Sequence, residues 1–141
     1  MKTLAIKKFQ TIEQACELLG FDVELPKRFK VKEIRVLSGR ILEIELSSVT
    51  VRKVKYSNHY EDDIAYSSYK GTYPNDCNGI PFSHFDGQKG VEYWNGSAKK
   101  PKAYLSIWTS EFSSKKKYAY SVYAPKGIMI KTMAKWESIF K

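Results

Sequence analysis

Cysteine and histidine are scarce in this chain of 141 residues, which has two of each: Cys16, Cys77, His59 and His84. Two cysteines are too few for a disulfide framework, and neither sits in a Cys-x-x-Cys pair of the kind that holds zinc. Two histidines without further ligands at recognisable local spacing make no zinc signature either. A glycine-rich phosphate loop, a nucleophile elbow and an acidic calcium loop of the required spacing are also missing. No apolar run approaches the length that spans a bilayer, and Met1 to Phe9 breaks its apolar run with Lys7 and Lys8, unlike a secretory signal. No catalytic residue, metal or cofactor is therefore expected. A cytoplasmic location with both cysteines reduced follows if the chain is the whole product. Cys16 is expected in the core. Cys77, in the loop-like PNDCNG stretch with no activating base beside it, is expected to be an unreactive thiol.

What is present is the material of a globular protein, with hydrophobic residues at 43% and charged residues at 28%. The length suits one well-filled core and is short for two, so residues 1–141 are read as a single domain. The charge is unevenly spread. Residues 1–56 carry twelve Lys/Arg against seven Asp/Glu, residues 57–97 two against six, and residues 98–141 ten against two, which is +5, −4 and +8 within the total of +9. An acidic, aromatic middle flanked by basic ends makes the molecule an electrostatic dipole unless the fold interleaves them.

The clearest pattern lies in Val31 to Tyr56, VKEIRVLSGRILEIELSSVTVRKVKY. Ile34 and Val36 alternate with Arg35, and Leu42, Ile44 and Leu46 alternate with Glu43 and Glu45, a period of two that predicts strands with one apolar and one wet face. Gly39 suits a tight hairpin turn, and Ser47-Ser48 supplies a second polar break, so three strands form an antiparallel meander. In the third strand Val49 and Val51 share one parity while Val54 and Tyr56 share the other, which predicts a β-bulge between Arg52 and Lys53. Arg52 is read first as a strand residue pointing to solvent, and second as a buried, paired arginine at that bulge.

Outside this stretch the signals are local. Thr11 and Gln14 fit a capping box. IEQACELL then sets Ile12, Ala15 or Cys16, and Leu19 at helical spacing until Gly20 stops the turn. Pro26 fixes an extended approach to the meander. Lys102 to Thr109 and KYAYSVYA alternate as two strands around SEFSSKKK, an exposed hairpin loop. Met129, Met133, Trp136 and Phe140 form one stripe of a C-terminal amphipathic helix, read as core. From Ser57 the pattern loosens into a strand around Ile64 to Tyr69, a turn-rich middle with Pro74, Asn75, Gly79, Pro81 and Gly87, and a short strand at Val91 to Trp94. Tyr56, Tyr60, Tyr66, Tyr69 and Tyr73 are read as strand faces packing side by side in preference to a ligand-stacking row.

The positions Ala15 to Phe21, Pro26, Ile41 to Leu46, Val51-Arg52-Lys53, Ile107-Trp108 and Tyr118 to Tyr123 resemble those of a family of uncharacterised bacterial domains. The likeness is to the domain of unknown function that also occurs outside the membrane in some anti-sigma-type regulators of Gram-positive bacteria. The resemblance spans nearly the whole chain. It implies an α+β fold, a curved antiparallel sheet with an N-terminal and a C-terminal helix packed on it, and it carries over no catalytic residue. The chain departs from the regulators in lacking their membrane anchor and in an apparent insertion from Tyr73 to Ala98.

A metal or general-base site would need His59, beside Glu61, Asp62 and Asp63, to converge with His84, beside Asp86. Asp62-Asp63 next to Tyr60 is read as a solvated turn, and Asn95-Gly96-Ser97 matches a glycosylation acceptor that has no use without export. The leading functional reading is a non-enzymatic binding or sensing module with a protein partner, using Tyr60, Asp62, Asp63, Tyr69, Tyr73, His84 and Trp94 in the decorated middle. The alternative is a weak polyanion or nucleic-acid binder through Lys99, Lys100, Lys115, Lys116 and Lys117. Such binding would be backbone-directed and salt-sensitive, because lysine lacks the planar fork used for base recognition. The plainer account of these lysines is solubility. A third reading, an enzyme acting through His59 and His84, requires the two to meet.

Overall fold

Period-two segments become strands once each finds a neighbour for its backbone. In a computed structural model, residues 5–64, 78–83, 89–96, 101–112, 115–124, 136 and 139–141 are described. The strands are β1 (Ile6–Phe9), β2 (Val31–Leu37), β3 (Ile41–Leu46), β4 (Thr50–Lys55), β5 (Asn78–Ser83), β6 (Lys89–Gly96), β7 (Pro101–Phe112) and β8 (Lys115–Ala124). The helices are α1 (Ile12–Leu19) and α2 (Tyr60–Ile64). The strands form one eight-stranded sheet in the order β1-β2-β3-β4-β8-β7-β6-β5, and every adjacent pair is antiparallel. The chain is thus α+β with an antiparallel sheet. After β4 it travels to the far edge and returns strand by strand, so basic β8 lies against β4 while the hairpin from the acidic middle occupies the opposite edge.

The predicted meander is β2–β3–β4, and its first turn places Ser38 (φ 53) and Gly39 (φ 68) in the left-handed region. Helix α1 starts and stops where the local signals put it. The Thr11 hydroxyl accepts from the Gln14 N–H at 3.2 Å, and the Gly20 N–H, at φ 76, donates to the Cys16 carbonyl at 2.8 Å. Its buried side is Ala15, Cys16 and Leu19, so Cys16 is a core residue as expected.

The bulge at Arg52-Lys53 does not form. β4 stays in continuous register with β3 (Glu43↔Arg52, Leu42↔Lys53) and with β8 (Arg52↔Ser121, Lys53↔Tyr120). Register shifts occur instead at Val31/Glu33, Asn95/Gly96 and Ser110/Glu111. Apolar residues change parity along β4 because both faces of the sheet are covered, a situation in which alternation no longer marks a wet side. On one face Ile34, Val36, Leu42, Ile44, Val51, Trp108, Tyr120 and Val122 pack against α1 and against Trp136 and Phe140. On the other, Leu37, Ile41, Val54, Leu105, Ile107, Ala119 and Tyr123 pack with Ile64 of α2.

Other expectations change at the edges and connections. β1 is unpredicted: it is an edge strand with exposed Ile6, Lys7 and Lys8, and lysines on an edge discourage further pairing. β5 runs through the supposed turn region, where Pro81 is tolerated on an edge strand. The SEFSSKKK loop is shorter than expected, since β7 continues to Phe112 and β8 begins at Lys115. Ile64 closes α2 instead of opening a strand, and the rest of that predicted strand lies outside the described residues. The arrangement of two packed helices from the chain ends is not supported by the described residues, whose second helix is the mid-chain α2. Of the predicted C-terminal helix they include Trp136 and residues 139–141, where the Phe140 N–H donates to the Trp136 carbonyl at 2.9 Å; Met129 and Met133 lie outside them.

The two ends of α1 supply a direct test. Thr11→Ala leaves an N-terminal N–H without its cap and Gly20→Ala forces a Cβ into the left-handed region, so each lowers the unfolding free energy by about 1 kcal/mol in urea titrations.

Candidate functional site

Charged side chains form one row across β2, β3 and β4. Register sets Arg35 opposite Glu43 and Glu43 opposite Arg52, all on the α2 side. Arg35 Nε donates to Glu43 Oε2 at 2.7 Å, and Arg52 Nε donates to Glu43 Oε1 at 3.2 Å, with Glu43 and Arg52 both 0% exposed. Arg35 also reaches Glu33 at 2.5 Å and Glu45 at 2.9 Å, and Lys8 of β1 joins Glu33 at 2.8 Å. The Lys8 ammonium holds the Glu33 carboxyl below the ordinary range. The face expected to be wet therefore buries a carboxylate between two guanidiniums, and the solvent-pointing reading of Arg52 gives way to the buried, paired one. The signal lay in the alternating charge sign at positions 35, 43 and 52, which a strand pattern alone does not separate from a solvated face.

The row continues into α2, where Tyr60 and Asp63 lie. Arg52 Nη1 donates to the Asp63 carbonyl at 2.7 Å, and the Arg40 guanidinium pairs with the Asp63 carboxylate. Asp63 is buried, so it is an anchor of α2 and not part of a solvated turn. Tyr60 packs against Tyr56 with ring centroids 5.2 Å apart. At this corner a cavity of about 340 Å³ opens between Leu18, Leu19, Phe21, Arg40, Val54, Lys55 and Asp63.

On the opposite face Lys53 is buried among aromatic rings. Its ammonium lies 4.4 Å from the Tyr118 ring centroid, 5.1 Å from Phe21 and 5.4 Å from Tyr120, and donates to the Asp22 carbonyl. Cation–π contact and one carbonyl offset part of its desolvation. Burial pushes the Lys53 ammonium below its ordinary value, opposed by Cys16, Asp22 and Glu24. Burial also raises the Cys16 thiol, with Asp22 adding to the effect, so Cys16 is a poor nucleophile.

One cavity is not one the sequence pointed to. It is an open groove of about 680 Å³ with walls from Ile12, Val23, Leu25, Phe29, Val31 and Ile139, and with Glu13, Glu24 and Lys27 along it. Both ends of the chain build it. The Glu24 N–H donates to the Lys141 carbonyl at 2.7 Å, the Lys141 N–H donates back to Glu24 at 3.1 Å, and Phe29 stacks on Trp136 at 4.6 Å. Residues so distant in the chain share no local pattern.

Of the other flagged positions, Asp62 lies in α2, Trp94 lies in β6 opposite Asn78 and Tyr104, and Lys115 and Lys116 open β8, followed by exposed Lys117. Tyr69, Tyr73, Cys77, His84, Lys99 and Lys100 lie outside the described residues, and His59 is exposed. Among the described residues no cluster of three or more His, Cys, Asp or Glu is placed to hold a metal, and no helix is long and apolar enough to cross a membrane.

Two outcomes follow from the buried charges. Glu43→Ala removes the buried carboxylate that Arg35 and Arg52 share and lowers stability by about 3–5 kcal/mol, whereas Glu45→Ala, on a partly exposed pair, costs about 1 kcal/mol or less in the same denaturation assay. Lys53 has a folded pKa below its unfolded one, so the unfolded state holds more protons between the two values and the Lys53 contribution to stability rises with pH there. The stability gap between wild type and Lys53→Met therefore shifts in favour of wild type as pH climbs toward the ordinary lysine range, as read by unfolding at stepped alkaline pH. Compared with known proteins, the chain matches no family model, no curated protein and no solved structure.

Proposed function

We propose that this chain is a non-enzymatic binding or sensing module whose partner is another protein, held in the groove between α1 and the segment through Pro26. The observation that supports it is the groove itself: apolar walls, a few charged groups and a volume of about 680 Å³, the make-up of a site for an apolar stretch of a partner. The buried Arg35, Glu43, Arg52, Lys53 and Asp63 side chains are engaged in structural contacts, which leaves them poorly placed for chemistry on a substrate. In the same reading the tyrosine-rich middle, with Tyr69, Tyr73, His84 and Trp94, supplies further contacts. A C-terminal helix through Trp136 lies on the α1 face, and the protein is a cytoplasmic relative of the uncharacterised bacterial domain. Net charge favours one second reading: weak polyanion binding through Lys99, Lys100 and Lys115 to Lys117, within a segment carrying ten Lys/Arg against two Asp/Glu.

Affinity purification of the tagged full chain from cells that make it separates these readings. Leu25→Asp, with circular dichroism unchanged, reduces recovery of the protein partner at least tenfold, while simultaneous Lys115→Ser, Lys116→Ser and Lys117→Ser leaves it intact. Recovery unaffected by Leu25→Asp, or turnover of a small substrate by purified chain that recovers no partner, contradicts the proposal. Low-salt DNA retention lost in the triple serine variant supports the second reading.

A further inference from the structure

We infer that the corner cavity beside α2 is a docking pocket for an acidic peptide segment that inserts one apolar side chain. The inference rests on reading the chain as a binding module and adds a second contact, with a partner chemistry of its own. The cavity, about 340 Å³, has an apolar floor of Leu18, Leu19, Phe21 and Val54. Leu18 is 54% exposed, and it and Ile6 are the large hydrophobic side chains most open to solvent among the described residues. An exposed leucine at the mouth of an apolar-floored cavity is surface that gains from being covered.

The rim selects the sign of the occupant. Arg40, 58% exposed, lines the cavity from the β2–β3 turn and pairs through Nη2 with the Asp63 carboxylate. Exposed Lys55 lines it too, its ammonium 3.7 Å from the point a Cβ on Gly20 would occupy. Asp63 is the acidic residue lining the cavity and already faces Arg40, so the rim presents more positive than negative charge. Carboxylates spaced along a peptide can reach Arg40 and Lys55 and leave the apolar lining to an apolar side chain. The wall that carries Gly39 has open space around it, so a peptide backbone can approach the turn.

The test is fluorescence anisotropy at low salt with the full chain and a labelled peptide of pattern Gly-Asp-Glu-Leu-Glu-Asp-Gly. Controls carry Ser for Leu, or Lys for each acid. Wild type is expected to bind the first peptide saturably and each control at least tenfold more weakly. Leu18→Ser and Lys55→Glu, both at exposed positions and checked by circular dichroism, each weaken binding at least tenfold, and Leu25→Asp in the separate groove leaves it unchanged. Absence of saturable binding, equal binding of the Ser peptide, or indifference to Leu18→Ser overturns the inference. If native-partner recovery still depends on Leu25 in that case, the binding-module reading stands without this pocket; if it does not, both fall.

Discussion

A carboxylate with no solvent contact must be paired on the spot, and Glu43 is paired on both sides, by Arg35 and by Arg52. That requirement ties together the middle of the sheet. The three residues meet because β2, β3 and β4 are in the register that sets 35 against 43 and 43 against 52. A slip of one residue in β3 would turn Glu43 onto the face that packs against α1 and take from two guanidiniums the carboxylate they share. The hydrophobic residues alone specify this register less sharply, since both faces of β3 and β4 are buried and an apolar side chain is acceptable on either. The charged row thus acts as a register key. Arg52 extends it by accepting no slack in α2: it donates to the carbonyl of Asp63, whose carboxylate Arg40 holds from the β2–β3 turn.

This division of labour explains where binding is left to occur. The sheet separates two cores, one under α1 and one under α2, and the titratable groups facing them are occupied in holding strands and helices in place. Lys53 is the counterpart on the α1 face, a cation kept in the interior by three rings and a backbone carbonyl. Among the cavities the described residues leave open, two flank α1: the groove beside its first turn, built with Phe29 and Ile139, and the smaller cavity beside its last turn. The groove carries Glu13 and Glu24, and the corner carries Arg40 and Lys55, so the two sites differ in sign as well as in place.

Much of the scaffold was legible because its signals are short-range. Thr11, Gln14 and Gly20 mark α1 within one turn of where it acts, and the alternation of Ile34, Val36, Leu42, Ile44 and Leu46 marks strands whatever lies on the other side. Glu43 and Arg52 were misread for a physical reason: alternating charges on a strand look the same in water and in a buried ion row, and what distinguishes them is a second layer contributed by distant residues. β1 escaped notice because an exposed edge strand needs little apolar patterning, only a partner, which β2 provides. Tyr60 and Asp63 drew attention as a decorated loop and do border a cavity, yet Asp63 does so as an anchor. The groove could not be seen at all, because Ile12, Phe29 and Ile139 become neighbours only through the fold.

A double-mutant cycle on Glu43 and Arg52 tests the buried row most directly, with Glu43→Gln, Arg52→Gln and the double variant compared by urea denaturation. If the row holds the meander in register, the two residues couple by about 2–3 kcal/mol, and the double variant is scarcely less stable than the worse single one. Additive effects of about 1 kcal/mol or less for each change would show that the strands find their register without this pair, and would contradict it.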